Sequence, residues 1–229
     1  MSRTLHLRLL PAVLAILAVA PLAAAELELS DLRLSGGMLS RQFRGAMKSS
    51  VTDDGGGITT HSHTANGRDA DLNNRIQLQY VRGSLGAGGG FVYGIGVAMN
   101  RASWDNDGAT AHVTTAVADV LLGYGYGLTS NWHVELTPFA GYGRADYRVT
   151  KDNATHASQD ATPYIEYGGR LATVVEVVPH LLVGIEVPYL IGRFAPKYRY
   201  TNQDQSRVTV SDTRENQGLG ALATIGYRF

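Results

Sequence analysis

The chain has 229 residues with 20 basic and 20 acidic side chains, and this balance excludes the electrostatic footprint of a nucleic-acid binder. Cysteine is absent, which excludes a disulfide framework, so the fold must be held by core burial or by a membrane. The 27 glycines and 12 tyrosines favour turns, close packing and interfaces over helix interiors.

The first residues carry Arg3, His6 and Arg8, then an apolar run from Leu9 to Leu22, then Ala23, Ala24 and Ala25 before Glu26. A basic head, a short greasy middle and a small-residue exit make residues 1–25 a secretory signal peptide, leaving 26–229 as the mature domain. Pro11 and Pro21 bracket the run, which is short for the roughly 20 residues a spanning helix needs. No Cys follows the exit, so a lipid anchor is excluded. Beyond it no apolar helical stretch remains that spans a bilayer, so a membrane form of this chain must be a closed barrel.

The mature sequence alternates with a period of two. A first strand is expected from about Asp31 to Lys48, with Leu32, Leu34 and Met38 in one phase and Asp31, Arg33 and Ser35 in the other. Leu27 and Leu29 fall out of phase with the outward set, which predicts a bulge or a strand start near Asp31. Val51 to Asp71 reads as a long exposed loop. A second strand, Leu72 to Arg82, turns Ile76, Leu78 and Tyr80 one way and Arg75, Gln77 and Gln79 the other. After the glycine-rich turn Gly83 to Gly90, a third presents Phe91, Tyr93, Ile95, Val97 and Met99. The polar stretch Arg101 to Ala111 leads to a fourth, Val113 to Leu128, with Ala116, Ala118, Val120, Leu122 and Tyr124 opposed to Thr115, Asp119 and Leu121.

The turn Thr129-Ser130-Asn131 leads into a fifth strand, with Trp132, Val134, Leu136, Pro138, Ala140 and Tyr142 against His133, Glu135, Thr137 and Phe139. Pro138 lacks a ladder donor and predicts a local bulge. Past a third polar loop, Lys151 to Asp160, a sixth strand sets Ile165, Tyr167, Leu171 and Val175 against Tyr164, Glu166, Arg170 and Glu176. Pro179-His180 turns into a seventh with Leu181, Val183, Ile185, Val187 and Tyr189 outward and Glu186 inward. Arg193 to Glu215 is the longest connection, and its Tyr198-Arg199-Tyr200 and Val208-Thr209-Val210 are expected to prolong two strands as a hairpin beyond the membrane. The eighth strand ends the sequence on Gly226-Tyr227-Arg228-Phe229.

Eight strands joined by long, short, long, short, long, short and long connections place every polar loop on one side and every turn on the other. The expected fold is therefore all-β, an eight-stranded antiparallel up-and-down transmembrane barrel with short periplasmic turns and long extracellular loops. These features resemble the small eight-stranded outer-membrane β-barrels of Gram-negative bacteria, of the OmpA transmembrane-domain, OmpX and opacity-adhesin type. The resemblance implies an outer-membrane location and a C-terminal aromatic signal, Tyr227 and Phe229, read by the barrel-assembly machinery.

Three groups of residues are singled out for function. The inward phase carries Arg33, Arg75, Arg170 and Arg228 beside Asp31, Asp119, Glu135, Glu166, Glu176 and Glu186. An eight-stranded barrel is just wide enough for side chains to fill, so opposite charges are expected to pair as a lumen charge network that plugs it. Arg228 is expected near Glu135 or Glu176. At the outer rim, Arg41, Arg44, Lys48, Arg101, Arg193, Lys197 and Arg199 are candidate contacts for lipopolysaccharide phosphates. In the external loops His61, His63, His112 and His156 lie among acidic residues, but no second spacing motif supports a metal, and neither metal nor other cofactor is expected. Ser62-His63 and His156-Ala157-Ser158 lack the frame that a nucleophile and base require.

The function expected is a monomeric structural or surface-interaction barrel that serves envelope integrity, contacts lipopolysaccharide and offers its loops for adhesion to an extracellular or host partner. A narrow small-solute channel and a lipid A-modifying enzyme are the alternatives.

Overall fold

A computed structural model describes residues 27–52, 58–69, 72–86, 88–106, 109–151, 154–157, 160–202 and 207–229. Residues 1–25, expected from sequence to be a signal peptide, lie outside the described residues. The strands are β1 (Leu27–Thr52), β2 (Ile58–Asp69), β3 (Leu72–Leu85), β4 (Gly90–Asn106), β5 (Ala109–Thr129), β6 (Trp132–Lys151), β7 (Ala154–Ala157), β8 (Asp160–Val178), β9 (Leu181–Phe194), β10 (Lys197–Asn202) and β11 (Arg207–Arg228). Eight of them, β1, β3, β4, β5, β6, β8, β9 and β11, form an antiparallel up-and-down ring, and β1 closes it against β11 from Asp31 opposite Arg228 upward. The short β2, β7 and β10 pair beyond the ring, as outgrowths of its hairpins.

The period of two seen in the sequence becomes two chemically different walls. On β5 Leu122 is 65% exposed while its neighbour Leu121 is 4% exposed, and the same alternation runs around the ring. Leu34, Ile76, Ile95, Val120, Leu136, Ile185 and Ile225 all stand on the exposed side. The enclosed side instead holds Arg33, Arg75, Asp119, Glu135, Glu166, Arg170 and Glu186. A soluble barrel has the reverse polarity, and only lipid makes an exposed apolar face favourable. Ring closure leaves no strand edge in that layer, so its strands pair with a neighbour on both sides. Aromatic residues mark the ends of the belt. Trp132, Tyr124, Phe91, Tyr227 and Phe229 lie at the short-turn end, while Tyr142, Tyr167 and Tyr189 lie toward the other.

Two expectations are corrected within the ring. β1 does not begin or bulge near Asp31; it pairs in one register from Leu27 opposite Leu85 to Met38 opposite Asn74. Leu27 and Leu29 share the parity of Asp31 and Arg33, so they face inward and pack with Val81, Leu85 and Val92 as an apolar floor near the periplasmic mouth. Nor does Pro138 produce a bulge. On the β8 side it lies opposite Gly169 in unbroken register, and on the β5 side the ladder resumes in the same register, Leu121 opposite Phe139 and Tyr124 opposite Leu136. Local loss of one donor is tolerated because the pairs above and below hold the register. The irregularities on these strands fall at their turn ends, between Gly127 and Thr129 and between Glu176 and Val178.

The polar connections are also more ordered than expected. β1 extends to Thr52 and is paired by β2, with Thr52 opposite Ile58 and Gln42 opposite Asp69. The Arg101 to Ala111 stretch continues β4 into β5 down to Asn106 opposite Ala109. β7 forms within the third loop and pairs with β10. The Tyr198 and Val210 arms pair as expected, Tyr198 opposite Val210 and Tyr200 opposite Val208. Above the bilayer the ladder continues because it satisfies backbone groups, whether or not a face is apolar. At the other end the connections are tight. Gly89, at φ 87°, donates its N–H to the Gly86 carbonyl at 3.0 Å, and His180, at φ 71°, closes the β8–β9 turn.

Candidate functional site in the barrel lumen

The inward residues of the eight strands meet in successive layers along the barrel axis. Nearest the extracellular end, Tyr147 of β6, Tyr164 of β8 and Phe194 of β9 bring their rings together, Phe194 lying 5.9 Å from Tyr147 and 6.3 Å from Tyr164 between centroids. The Tyr164 hydroxyl donates to Glu166 Oε2 at 3.1 Å and so joins this aromatic layer to the charges below.

Arg75 of β3 occupies the next layer with all its nitrogens engaged. Nε donates to Gln77 at 2.7 Å, Nη1 to Glu166 at 2.8 Å and to Asn100 at 3.1 Å, and Nη2 to Asp119 at 3.2 Å. The guanidinium carbon also stands 6.0 Å from the Phe139 ring centroid. Gly141 on β6 makes room for this layer, because a Cβ there would run into the Asp119 carboxylate.

Below it, Arg170 of β8 donates from Nε to Thr137 at 2.9 Å, from Nη1 to Gln79 and to Glu186 at 3.3 Å, and from Nη2 to Glu135 at 3.2 Å. Glu186 of β9 is fully buried and satisfied by neutral donors as well. Ser35 at 2.7 Å and Thr224 at 2.9 Å share one oxygen, and Gln77 reaches the other at 2.7 Å.

Arg33 of β1 then grips Glu135 of β6 in a fork, Nη1 to Oε2 at 2.9 Å and Nη2 to Oε1 at 2.6 Å, and also reaches Asp31 at 2.7 Å. His133 Nε2 lies 2.9 Å from the same Glu135. At the periplasmic mouth Arg228 of β11 makes a second fork onto Asp31, at 2.8 and 3.0 Å, and holds Glu176 at 3.0 Å. Glu176 accepts the His180 N–H at 2.8 Å, and His180 Nδ1 donates to the Arg228 carbonyl at 2.7 Å.

The chain of contacts is unbroken from Tyr164 through Glu166, Arg75, Gln77, Glu186, Arg170, Glu135, Arg33, Asp31 and Arg228 to Glu176. It draws on β1, β3, β6, β8, β9 and β11, with Asp119 added by β5. Arg33, Asp31, Glu135, Glu166 and Glu186 are wholly buried, and Arg75 and Arg170 are nearly so. Ion pairs this deep need good geometry and extra hydrogen bonds to offset their desolvation; Arg33 and Arg228 supply forks, and Arg75 and Arg170 supply several partners each, neutral groups included. Chemically, the arrangement fills and fixes a lumen.

All nine residues expected in the lumen network lie within it: Arg33, Arg75, Asp119, Glu135, Glu166, Arg170, Glu176, Glu186 and Arg228. Arg228 meets Glu176 but not Glu135, which Arg33 and Arg170 have already taken. The neutral partners Gln77, Gln79, Asn100, Thr137, Ser35 and Thr224 were given no role from sequence, although each has the same inward parity as the charges. His133 was likewise read only as inward.

The rim set is spread out. Arg101 and Arg193 are exposed on the outward face just beyond Met99 and Ile191, and Lys197 is exposed at the start of β10. Arg193 Nε lies 2.8 Å from Glu215. The side chains of Arg41, Arg44, Lys48 and Arg199 lie outside the described residues, as do those of His61, Ser62, His63 and His156. His112 is exposed. Sequence reading missed two further outward arginines, Arg144 and Arg148, whose signal is their parity with Tyr142 beyond the end of the belt. At the other end, Tyr227 and Phe229 are exposed, with ring centroids 5.1 Å apart, and His180 stacks on Tyr227 at 5.3 Å.

No family model and no curated protein matches this chain. Among solved structures it is similar to the outer membrane protein OprG from Pseudomonas aeruginosa, with 15% identity over 88% of this chain and 97% of that one, at a TM-score of 0.43. It is also similar to Ail, the attachment invasion locus protein of Yersinia pestis, with 15% identity over 87% and 99% at 0.34. Neisserial surface protein A aligns with 12% identity over 86% and 97% at 0.36. A closed ring with a lipid-compatible exterior, aromatic girdles and a charge-paired interior defines the chain as an eight-stranded transmembrane β-barrel.

Proposed function

We propose that this protein is a structural and surface-interaction barrel of the outer membrane, with a lumen closed by its own side chains. The observation that carries this reading is the unbroken chain of arginine–carboxylate contacts, bridged once by Gln77 and forked at Arg33 and Arg228, from Glu166 to Glu176, supported above by the Tyr147, Tyr164 and Phe194 rings and below by the Leu27, Leu29, Val81, Leu85 and Val92 floor. Such a plug removes the need for a large hydrophobic core and leaves the exterior free to meet lipid. The hairpins that prolong β1, β4, β5, β6 and β11 carry polar residues outward, where an extracellular or host partner is met. The outward cations Arg101, Arg193 and Lys197 support contact with lipopolysaccharide phosphates through charge-assisted hydrogen bonds. The exposed Tyr227 and Phe229 pair supports reading of the C-terminus by the barrel-assembly machinery.

Planar-bilayer recording tests the plug. The purified wild-type barrel is expected to insert without discrete conductance steps, whereas stable steps that change when Glu166 or Arg170 is neutralised would replace this reading with that of a narrow solute channel.

A further inference from the structure

Strand register places a shallow trough on the lipid-facing wall. Leu34, Leu78, Val97 and Ala118 form one cross-strand row, and Gly36, Ile76, Met99 and Ala116 form the next. Ala116 and Ala118 end after a single methyl, while the neighbouring Ile76, Leu78, Val97 and Met99 stand taller, so the wall steps inward at β5. The concavity measures about 480 Å³ and has an almost wholly apolar lining.

Both rows continue onto β6, where Ala118 lies opposite Tyr142 and Ala116 opposite Arg144. Because barrel strands tilt, a row perpendicular to them climbs across the wall. The row through Ala116 begins on β1 at Gly36, opposite Ala223 and four residues along from Leu32 in the periplasmic girdle, and ends on β6 at Arg144, just past Tyr142. Its upper end therefore carries a cation at the level of the outer headgroups. Arg101 stands beside that end, in the row that runs from Arg101 through Thr114 to Asp146. Arg144 is 65% exposed and uses Nε and Nη2 on Asp146, at 3.0 and 2.8 Å. An exposed ion pair of this kind exchanges readily for a stronger anion.

We propose that the trough seats one acyl chain of a phosphorylated lipid of the outer leaflet, with its phosphate held by Arg144 and Arg101. An apolar trough alone selects no headgroup; arginines at its upper end select an anionic one. The inference rests on the reading that phosphorylated lipid meets the rim, and adds a defined seat for it.

The test is native mass spectrometry of the detergent-purified barrel incubated with bisphosphorylated lipid A or with its dephosphorylated form. Wild type is expected to retain one phosphorylated lipid. The Arg144→Gln variant is expected to lose affinity roughly tenfold, the weight of one charge-assisted hydrogen bond. An Ala116→Leu/Ala118→Leu variant, which fills the trough on a face already apolar, is expected to lose retention while still showing the gel shift between unboiled and boiled samples. If the filled variant holds lipid A as wild type does while the arginine variants do not, the trough assignment fails and rim contact stands. If neither kind of variant changes retention, both fail. On wild type, a lipid A probe with a photoreactive acyl chain is expected to label β3, β4 and β5; labelling spread evenly around the barrel would overturn the proposal.

Discussion

Arg33 shows how much of this molecule depends on single buried charges. It satisfies two carboxylates from two strands at 2.6 to 2.9 Å, and Glu135 keeps only Arg170 and His133 without it. Removing one member of a buried pair strands the other, so Arg33→Met is expected to lower unfolding stability by about 3–5 kcal/mol, read by urea titration in detergent micelles. The double variant Arg33→Met/Glu135→Leu is expected to recover part of that loss, because it removes the stranded charge. A double variant less stable than the sum of its singles would contradict this account of the pair. Gly141 makes a complementary prediction. Since a Cβ there meets the Asp119 carboxylate, Gly141→Val is expected to destabilise the barrel, while Gly169→Ala, on the open outer face, is expected to be nearly silent in the same titration.

At the level of strands, the outer wall was legible because lipid enforces an apolar residue at every second position, and the inner wall was legible by subtraction. Leu122→Arg is accordingly expected to destabilise by about 2–4 kcal/mol if it lies near the bilayer midplane. The lumen pairs were less legible. Arg33 and Glu135 lie 102 residues apart, and parity says that both face inward but not that they share a layer. That depends on the registers summed across the ring. The bulge or strand start predicted near Asp31 fails for a related reason: Leu27 and Leu29 are apolar at the parity of Arg33 not because the phase breaks but because they form the floor. The Tyr198 and Val210 arms were legible from their alternation, but the arms in the first three polar stretches were hidden because their polar sequence carries no apolar period. The seam is the strand feature most open to test. Arg228 ties β11 to Asp31 of β1, and the Phe229 N–H donates to the Ser30 carbonyl at 2.9 Å. Arg228→Gln is expected to leave the folded form detectable on an unboiled gel, but to lower the temperature at which it converts to the unfolded band.

For the molecule as a whole, the account joins two claims: the outside is lipid-facing and the inside is closed. If residues 1–25 are a leader that is cleaved, as the sequence predicts, the intact mass of the mature protein corresponds to a chain beginning at Glu26. The joint claim is tested most directly by single-cysteine scanning of β6, which the absence of native cysteine makes clean. Cysteines placed one at a time from Leu136 to Ala140 in reconstituted bilayers are challenged with a water-soluble maleimide and with a lipid-phase thiol reagent. Positions 136, 138 and 140 are expected to react only from the lipid phase, and positions 137 and 139 with neither reagent. Labelling of the second set by the water-soluble maleimide, or loss of the alternation, would contradict it.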